Sequence, residues 1–182
     1  MGKRSSFERR ERDFYPTPAA AVKPLIPHLP DVFSYWEPCA GDGALHWALY
    51  DLTKSGAYAA WMTDIDPRSP AVLKMDAFCD PRECLGQFYI ADYIITNPPW
   101  TRSILHPMID HFSDMRPTWL LFDADWVHTK QAAPYLPRLR KIVSVGRVKW
   151  IDDSPHTGKD NCAWHLFTRP SDEPAQFFGR AA

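Results

Sequence analysis

The sequence has few cysteines and no long apolar run. Four cysteines in 182 residues could supply a disulfide pair or a zinc site, but no CxxC or HExxH spacing occurs. No apolar run approaches the roughly 18 to 20 residues that a membrane helix needs. Residues 1–12 lack the hydrophobic stretch of a secretory signal. We therefore expect a cytoplasmic protein with free, buried thiols, no bound metal and no membrane partner.

Length and composition exclude several classes of protein. The chain is long enough for one domain and too short for two ordinary ones. Hydrophobic residues make up 45% of it and charged residues 24%, which excludes a disordered or fibrous chain. We expect a basic arm over residues 1–12, one folded domain over 13–170 and a tail over 171–182. Eight tryptophans leave some indoles available to stack on a planar ligand.

Charge is unevenly distributed along the chain, although the net charge is only -1. Residues 31–92 contain ten acids and four bases, whereas residues 130–150 contain six bases and no acid. Residues 1–12 add five bases and two acids. A polyanion is attracted to the two basic segments if folding brings them together. The pattern fits a nucleic acid partner or, alternatively, a solvated basic face.

Strands and helices alternate along the sequence. We predict helices at 44–54 and 103–115, a short helix after Thr129, and strands at 32–36, 57–64, shortly before Asp76, 92–96, 119–123, 141–151 and 162–167. This alternation predicts an α/β domain with a mostly parallel, seven-stranded sheet and an antiparallel C-terminal hairpin at one edge. Ligands of such sheets bind at the carboxyl ends of the strands, where the strand order reverses.

A glycine-containing turn follows the first predicted strand. In EPCAGDG (37–43), Gly41 and Gly43 form a GxG, and Asp64 lies 23 residues beyond Gly41, near the spacing of a ribose-binding acid. His46 replaces the third glycine of a dinucleotide-binding GxGxxG, and the turn contains acids and no base. These acids favour a ligand with cationic groups and no phosphate. S-adenosylmethionine, with its ammonium and sulfonium, is such a ligand; a plain strand-to-helix turn is the alternative.

The segment NPPW (97–100) follows a β-branched strand. Two prolines fix the backbone and remove two donors, so the carbonyl of Pro98 can face a ligand. The side-chain oxygen of Asn97 is a second acceptor, and Trp100 offers a stacking plane. Two acceptors below an aromatic ring suit an amino group on a planar system, because holding its hydrogens turns the nitrogen lone pair toward an electrophile. A rigid strand exit with an exposed tryptophan is the alternative.

Five segments, in this order, resemble the motifs of S-adenosylmethionine-dependent adenine-N6 DNA methyltransferases, especially the small phage and bacterial Dam-type enzymes. They are DFYPTP (13–18), EPCAGDG (37–43), TDIDP (63–67), DAF (76–78) and the catalytic NPPW (97–100). Beyond residue 100, only GKDNCAWHLF (158–167) is similar to the family's late loop and strand. The resemblance implies a Rossmann-like class I methyltransferase fold, with residues 13–170 as the methyltransferase domain.

The resemblance also implies a role for each motif residue. The cofactor-binding residues would be Tyr15, Thr17, Glu37, Ala40, Gly41 and Gly43 at the methionine end, Asp64 at the ribose, and Ile65, Asp76 and Phe78 at the adenine. The catalytic residues would be Asn97, Pro98, Pro99 and Trp100. Asn97 and Pro98 would hold the target amine, and Trp100 would stack on the target base.

We expect the partner to be nucleic acid, specifically double-stranded DNA. Its candidate contacts are Lys130, Arg138, Arg140, Lys141, His156 and Lys159. No stretch is long enough for an inserted target-recognition domain, so we expect short or loose sequence specificity. The alternatives are methylation of RNA adenines, methylation of a glutamine amide in a protein, or a binding module without turnover.

Other polar residues are candidates for different roles. Pro38 and Cys39 match the nucleophile motif of cytosine-C5 methyltransferases, but their place in the glycine turn assigns them to the cofactor. His106 and His111 are five residues apart and so not on one helical face, which favours surface histidines over metal ligands. Asp123, Asp125 and Trp126 are candidates for the rim of the base pocket or for a helix cap. The loop 152–161 either meets the nucleic acid backbone or is only a hairpin turn.

Overall fold

A computed structural model describes residues 14–84, 91–151 and 158–180, apart from the side chain of Arg82. The predicted basic arm (1–12), Asp13 of the first motif and His156 lie outside the described residues.

The described residues form one mixed sheet of eight strands. The strands are β1 (Phe33–Glu37), β2 (Ala57–Asp64), β3 (Leu73–Lys74), β4 (Tyr93–Thr96), β5 (Thr118–Asp123), β6 (Leu139–Arg147), β7 (Asn161–Phe167) and β8 (Gln176–Phe178). Their order is β3-β2-β1-β4-β5-β7-β6-β8. β7 is antiparallel to both β5 and β6, and the other pairs are parallel.

Helices connect the strands and cover the sheet. They are α1 (Ala19–Val22), α2 (Ala44–Leu52), α3 (Pro81–Cys84) and α4 (Arg102–Met115), with 3-10 segments at Lys23–His28, Ala124–His128 and Lys130–Arg138. α2 begins directly after Gly43. α4 contains Pro107 five residues after its first residue, Arg102, so the helix lacks the backbone hydrogen bond that residue 107 would donate.

Two apolar cores fill the two faces of the sheet. One contains α1, the buried face of α2 and residues such as Tyr35, Ile95 and Trp164. The other contains the buried face of α4 with Trp36 and Phe122. Five of the eight tryptophans are buried in these cores; the remaining three are Trp47, Trp100 and Trp150. Trp47 is exposed, whereas Trp100 and Trp150 are half-buried and pack against the cores.

Two details differ from the sequence prediction. The sheet has eight strands instead of seven. The additional strand, β8, lies within the predicted tail 171–182 and pairs with β6, so that β6 is an inner strand of the sheet. Cys79 and Cys84 form a disulfide, whereas Cys39 and Cys162 are free. The expectation of free thiols throughout is therefore wrong for this pair.

The register defines two opposite edges of the sheet. Cys162 of β7 pairs with Asp123 at the end of β5 and with Gly146 near the end of β6. These ends lie together with the ends of β1, β2 and β4 at what we name the carboxyl edge. Leu139, at the start of β6, pairs with Phe167 at the opposite edge. Phe167 lies five residues along β7 from Cys162, which corresponds to ~17 Å. The strand order reverses between β1 and β4, which predicts a ligand site at the carboxyl edge there.

Candidate active site

The glycine turn connects β1 to α2 at the carboxyl edge. Gly41 and Gly43 have positive φ angles of 55° and 85°, a conformation that favours glycine. A Cβ on Gly41 would lie 2.7 Å from the ring of Phe14. The segment that contains Tyr15 and Thr17 therefore packs directly against the turn. Close approach, together with backbone conformation, explains why glycine occupies position 41.

Glu37 ends β1 beneath this turn with only 2% of its surface exposed. Its Oε2 is buried and has no hydrogen-bond partner among the described residues. Burial, and then the nearby carboxylates of Asp42 and Asp64, raises the pKa of Glu37 well above its usual value. An unpartnered buried carboxyl oxygen in a water-poor turn is suited to a cationic ligand group.

Asp64 closes the turn from β2. One of its carboxylate oxygens accepts from the backbone N–H of Gly41 at 2.8 Å, and the other accepts from the backbone N–H of Asp66 at 2.8 Å. These two bonds hold the carboxylate at the end of β2 next to the glycine turn. Each oxygen retains a lone pair for a ligand hydroxyl.

Apolar side chains and a third acid extend the site beyond β2. Ile65 and Phe78 are 56% and 43% exposed, so both present apolar surface to solvent. Asp76 is also exposed, and its Oδ1 accepts from the backbone N–H of Phe78 at 2.9 Å. The backbone N–H of Met75 donates to the carbonyl of Asp64 at 2.9 Å, which keeps the two motifs adjacent. Together these side chains offer apolar surface and an acceptor, as an adenine requires.

The NPPW segment begins immediately after β4. Asn97 is half-buried and donates through Nδ2 to Thr17 Oγ1 at 3.2 Å. Its Oδ1 accepts from Trp100 Nε1 at 3.2 Å, and the same indole N–H also lies 3.2 Å from the carbonyl oxygen of Leu121. Pro98 is buried and Pro99 half-buried. The structure thus brings Thr17 of DFYPTP and Asn97 of NPPW into direct contact.

Trp150 is a site residue that sequence reasoning missed. Its ring lies edge-on to Trp100 with centroids 5.9 Å apart, and 6.4 Å from the ring of Tyr15. A Cβ on Gly158 would lie 3.3 Å from its Cδ1, so the connection between β6 and β7 also packs on it. The signal in the sequence was an aromatic residue at the end of the basic segment 130–150. Trp150 therefore lies between the rings of Tyr15 and Trp100.

The structure separates the predicted nucleic acid contacts. Arg138 pairs with Asp110 at 2.9 Å and Asp114 at 2.6 Å. Arg140 is buried and donates to four backbone carbonyls. Lys141 Nζ lies 5.9 Å from the ring centroid of Phe178. All three bases are near the start of β6, at the edge opposite the site. Their geometry assigns Arg138 and Arg140 to internal contacts.

Other bases lie at the carboxyl edge. Arg147 ends β6 and pairs with Asn161, and Lys149 and Lys159 flank these positions. Arg180 follows β8 and packs over Gly146, where an added Cβ would lie 2.8 Å from its guanidinium. All four bases are exposed, and none forms an ion pair with another described residue. We name them the basic patch: Arg147, Lys149, Lys159 and Arg180. Lys130 is exposed at the start of its 3-10 segment, outside this patch.

The remaining candidates have local roles. Burial raises the pKa of the Cys39 thiol, which disfavours a nucleophilic thiolate. His106 accepts from Trp126 Nε1 at 3.0 Å. Asp123 accepts from the backbone N–H of Asp125 at 2.9 Å, as a helix cap does. No group of described His, Cys, Asp or Glu residues has a metal-binding arrangement, and no described helix is long and apolar enough to cross a membrane.

Solved structures of other proteins share this architecture, whereas the sequence matches no protein-family model and no curated protein sequence. A modification subunit of a candidate type I restriction enzyme from Vibrio vulnificus superposes with a TM-score of 0.56 and 12% identity, over 93% of this chain and 47% of that one. A candidate RNA methyltransferase from Pyrococcus horikoshii gives 0.53 and 15%, over 93% and 95%. A candidate class I S-adenosylmethionine-dependent methyltransferase from Listeria monocytogenes gives 0.50 and 12%, over 88% and 62%.

At 12% to 15% identity, these superpositions establish the fold but neither the activity nor the substrate. The chain spans about half of the Vibrio vulnificus subunit and 62% of the Listeria monocytogenes protein. The eight-stranded sheet, its antiparallel C-terminal part and the reversal between β1 and β4 all agree with the fold class that the motifs implied. The chain has the Rossmann-like class I fold of S-adenosylmethionine-dependent methyltransferases.

Proposed function

We propose that this protein transfers a methyl group from S-adenosylmethionine to the N6 amine of adenine in DNA. The observation that carries the proposal is the contact between the two motifs at the β1–β4 reversal. There, Thr17 of the cofactor segment accepts from Asn97 of the catalytic segment at 3.2 Å. A methyl donor and a planar amine bound by these two segments would therefore be neighbours.

The residues around the glycine turn fit S-adenosylmethionine. The unpartnered Oε2 of Glu37 would face its cationic methionine end, where ionisation of the carboxyl becomes favourable. Asp64 would accept from the ribose hydroxyls. Asp76 would accept from the adenine amino group between the apolar surfaces of Ile65 and Phe78. When bound, this cofactor supplies an electrophilic methyl group on a sulfonium.

Asn97 and Pro98 would hold the target amine. An amide oxygen has two lone pairs, so Asn97 Oδ1 can accept from the amine as well as from Trp100. The carbonyl of Pro98 has no competing amide donor from the following proline. Two acceptors on one amine draw its nitrogen away from conjugation and orient its lone pair, and Trp100 would stack on the ring. The amine proton leaves to water, because the nitrogen becomes strongly acidic when it is methylated.

The basic patch supports a nucleic acid substrate over a protein glutamine. Its bases lie at the carboxyl edge, at the ends of the strands beyond β5, where a duplex could contact phosphates while one base enters the site. Access to that amine requires the base to leave the stack. Within this sequence, the connections between strands are too short for a separate recognition domain. We therefore propose short or loose sequence specificity.

Methyl transfer from labelled cofactor to four acceptors tests the proposal. The acceptors are duplex DNA, single-stranded DNA, structured RNA and whole-cell protein, followed by mass analysis of nucleosides. We expect N6-methyladenine in DNA, abolished by Asn97→Ala with little change in cofactor affinity. Label in RNA or in protein would replace the DNA assignment by the corresponding alternative. Cofactor binding without transfer to any acceptor would indicate a binding module, and normal methylation by Asn97→Ala would refute the catalytic assignment.

A further inference from the structure

The amide of Asn97 must present its oxygen to the target amine. The two ends of an asparagine amide are chemically opposite, since Oδ1 only accepts and Nδ2 only donates. A flipped amide would direct N–H groups at the hydrogens of the target amine. This requirement rests on the proposed function, because it concerns the group that would hold the amine.

The structure places complementary groups at both ends of this amide. Trp100 Nε1, which can only donate, lies 3.2 Å from Asn97 Oδ1. Thr17 Oγ1 lies 3.2 Å from Nδ2 and accepts from it. A flip would place the Nδ2 amide group of Asn97 against the indole N–H of Trp100, so that two donors would face each other. It would also require the Thr17 hydroxyl to turn and donate.

Thr17 occupies a position from which it can restrain Asn97. It has 5% of its surface exposed, so water does not readily replace its hydroxyl. It belongs to the segment that packs on the glycine turn through Phe14, 80 residues from Asn97 in sequence. Its hydroxyl is thus held by a part of the fold that is independent of the NPPW backbone.

We propose that Thr17 is a positioning residue for Asn97. Together with the indole N–H of Trp100, it clamps the amide so that the free lone pair of Oδ1 faces the target. Thr17 acts on the rate of methyl transfer through Asn97, beyond any contact it makes with the cofactor. The resemblance to known motifs assigned Thr17 only to the methionine end of the cofactor.

Thr17→Val and Thr17→Ser test this role with three measurements. Valine keeps the shape and removes the acceptor, whereas serine keeps the hydroxyl. The measurements are the single-turnover methylation rate, the cofactor Kd and the ¹H–¹⁵N resonances of the Asn97 side-chain amide, assigned by their loss in Asn97→Ala. We expect Thr17→Val to shift these resonances and slow transfer by about three- to tenfold, the equivalent of one hydrogen bond. The Kd should stay within about twofold, and Thr17→Ser should restore both rate and resonances.

Three results would overturn the proposal. In the first, the resonances and the rate of Thr17→Val match the wild type. In the second, Thr17→Val changes only the cofactor Kd, which would make Thr17 a cofactor contact. In the third, Thr17→Ser is as impaired as Thr17→Val, which would make the methyl group and its packing responsible. If the wild type transfers no methyl group, the proposed function fails, yet the amide resonances still decide whether Thr17 restrains Asn97.

Discussion

Glu37→Gln should stabilise the free protein and weaken cofactor binding. The Glu37 carboxyl is buried with an unpartnered oxygen, and its pKa is raised well above 4.5 by burial and by Asp42 and Asp64. A raised carboxyl pKa costs stability as pH rises, because the unfolded state loses the proton first. The cost grows by about 1.4 kcal/mol per pH unit above 4.5 until the folded pKa is reached. At pH 7 it amounts to at most about 3.5 kcal/mol.

Glutamine removes this cost because it does not ionise. For a domain of this size, each 1 kcal/mol corresponds to about 2 to 4 °C in Tm. We therefore expect Glu37→Gln to raise the Tm of the free protein at pH 7 by at most about 7 to 14 °C. The gain should shrink as the pH falls and vanish below about 4.5, where the carboxyl is protonated in both states.

Cofactor binding should respond in the opposite direction. If Glu37 pairs with the cationic end of the cofactor, loss of one partner of a buried charge pair costs about 3 kcal/mol or more, which raises Kd by at least a hundredfold. Wild-type affinity should also increase with pH as Glu37 ionises. Thermal denaturation from pH 4 to 8 and calorimetric titration with S-adenosylmethionine measure both effects. A Glu37→Gln variant that is less stable at pH 7, or that binds the cofactor normally, would refute this reasoning.

Three further predictions concern the basic patch, the indole N–H and a buried histidine. Arg147→Ala/Lys149→Ala should weaken duplex binding and lower the slope of log binding constant against log salt concentration by about 2. The control Lys141→Ala should change neither. Equal effects of the two variants would refute the assignment of the interface to the carboxyl edge. Trp100→Phe keeps a stacking ring but loses the donor to the catalytic amide, so transfer should slow by about three- to tenfold with little change in KM. Burial lowers the pKa of His165 from 6.5 to about 3, so the unfolded state takes up the proton first as the pH falls. Wild-type stability should therefore decrease by about 3 kcal/mol between pH 6.5 and 4.5. In urea denaturation, His165→Phe should lack this part of the pH dependence.

The local part of the site could be predicted from sequence. Short motifs directly after apolar strands, such as EPCAGDG and NPPW, place their residues at strand ends whatever the details of packing. The spacing from Gly41 to Asp64 predicted a ribose-binding acid, and in the structure Asp64 accepts from the backbone N–H of Gly41 at 2.8 Å. β8 was not predicted, because three residues joined to the sheet by backbone bonds at its edge leave no hydrophobic period to detect.

Contacts between distant segments could not be predicted. Thr17 and Asn97 are 80 residues apart, and neither residue type indicates the other as partner. The bases of residues 130–150 read as one charged segment, yet β6 runs across the sheet and carries its two ends to opposite edges. Arg140 is another residue whose role could not be predicted, since its guanidinium donates hydrogen bonds to backbone carbonyls within the fold. Composition cannot distinguish such a residue from an exposed arginine.

The strand order explains how one nearly neutral chain could serve two ligands of opposite charge. β1 and β2 end in Glu37 and Asp64, and Asp76 follows β3 by two residues, whereas β6, β7 and β8 are flanked at the same edge by the basic patch. β4 lies between these groups and ends in NPPW. The net charge of -1 therefore conceals two fields of opposite sign. A cationic cofactor and a polyanionic substrate would each be attracted to its own half of the edge and would meet at Asn97.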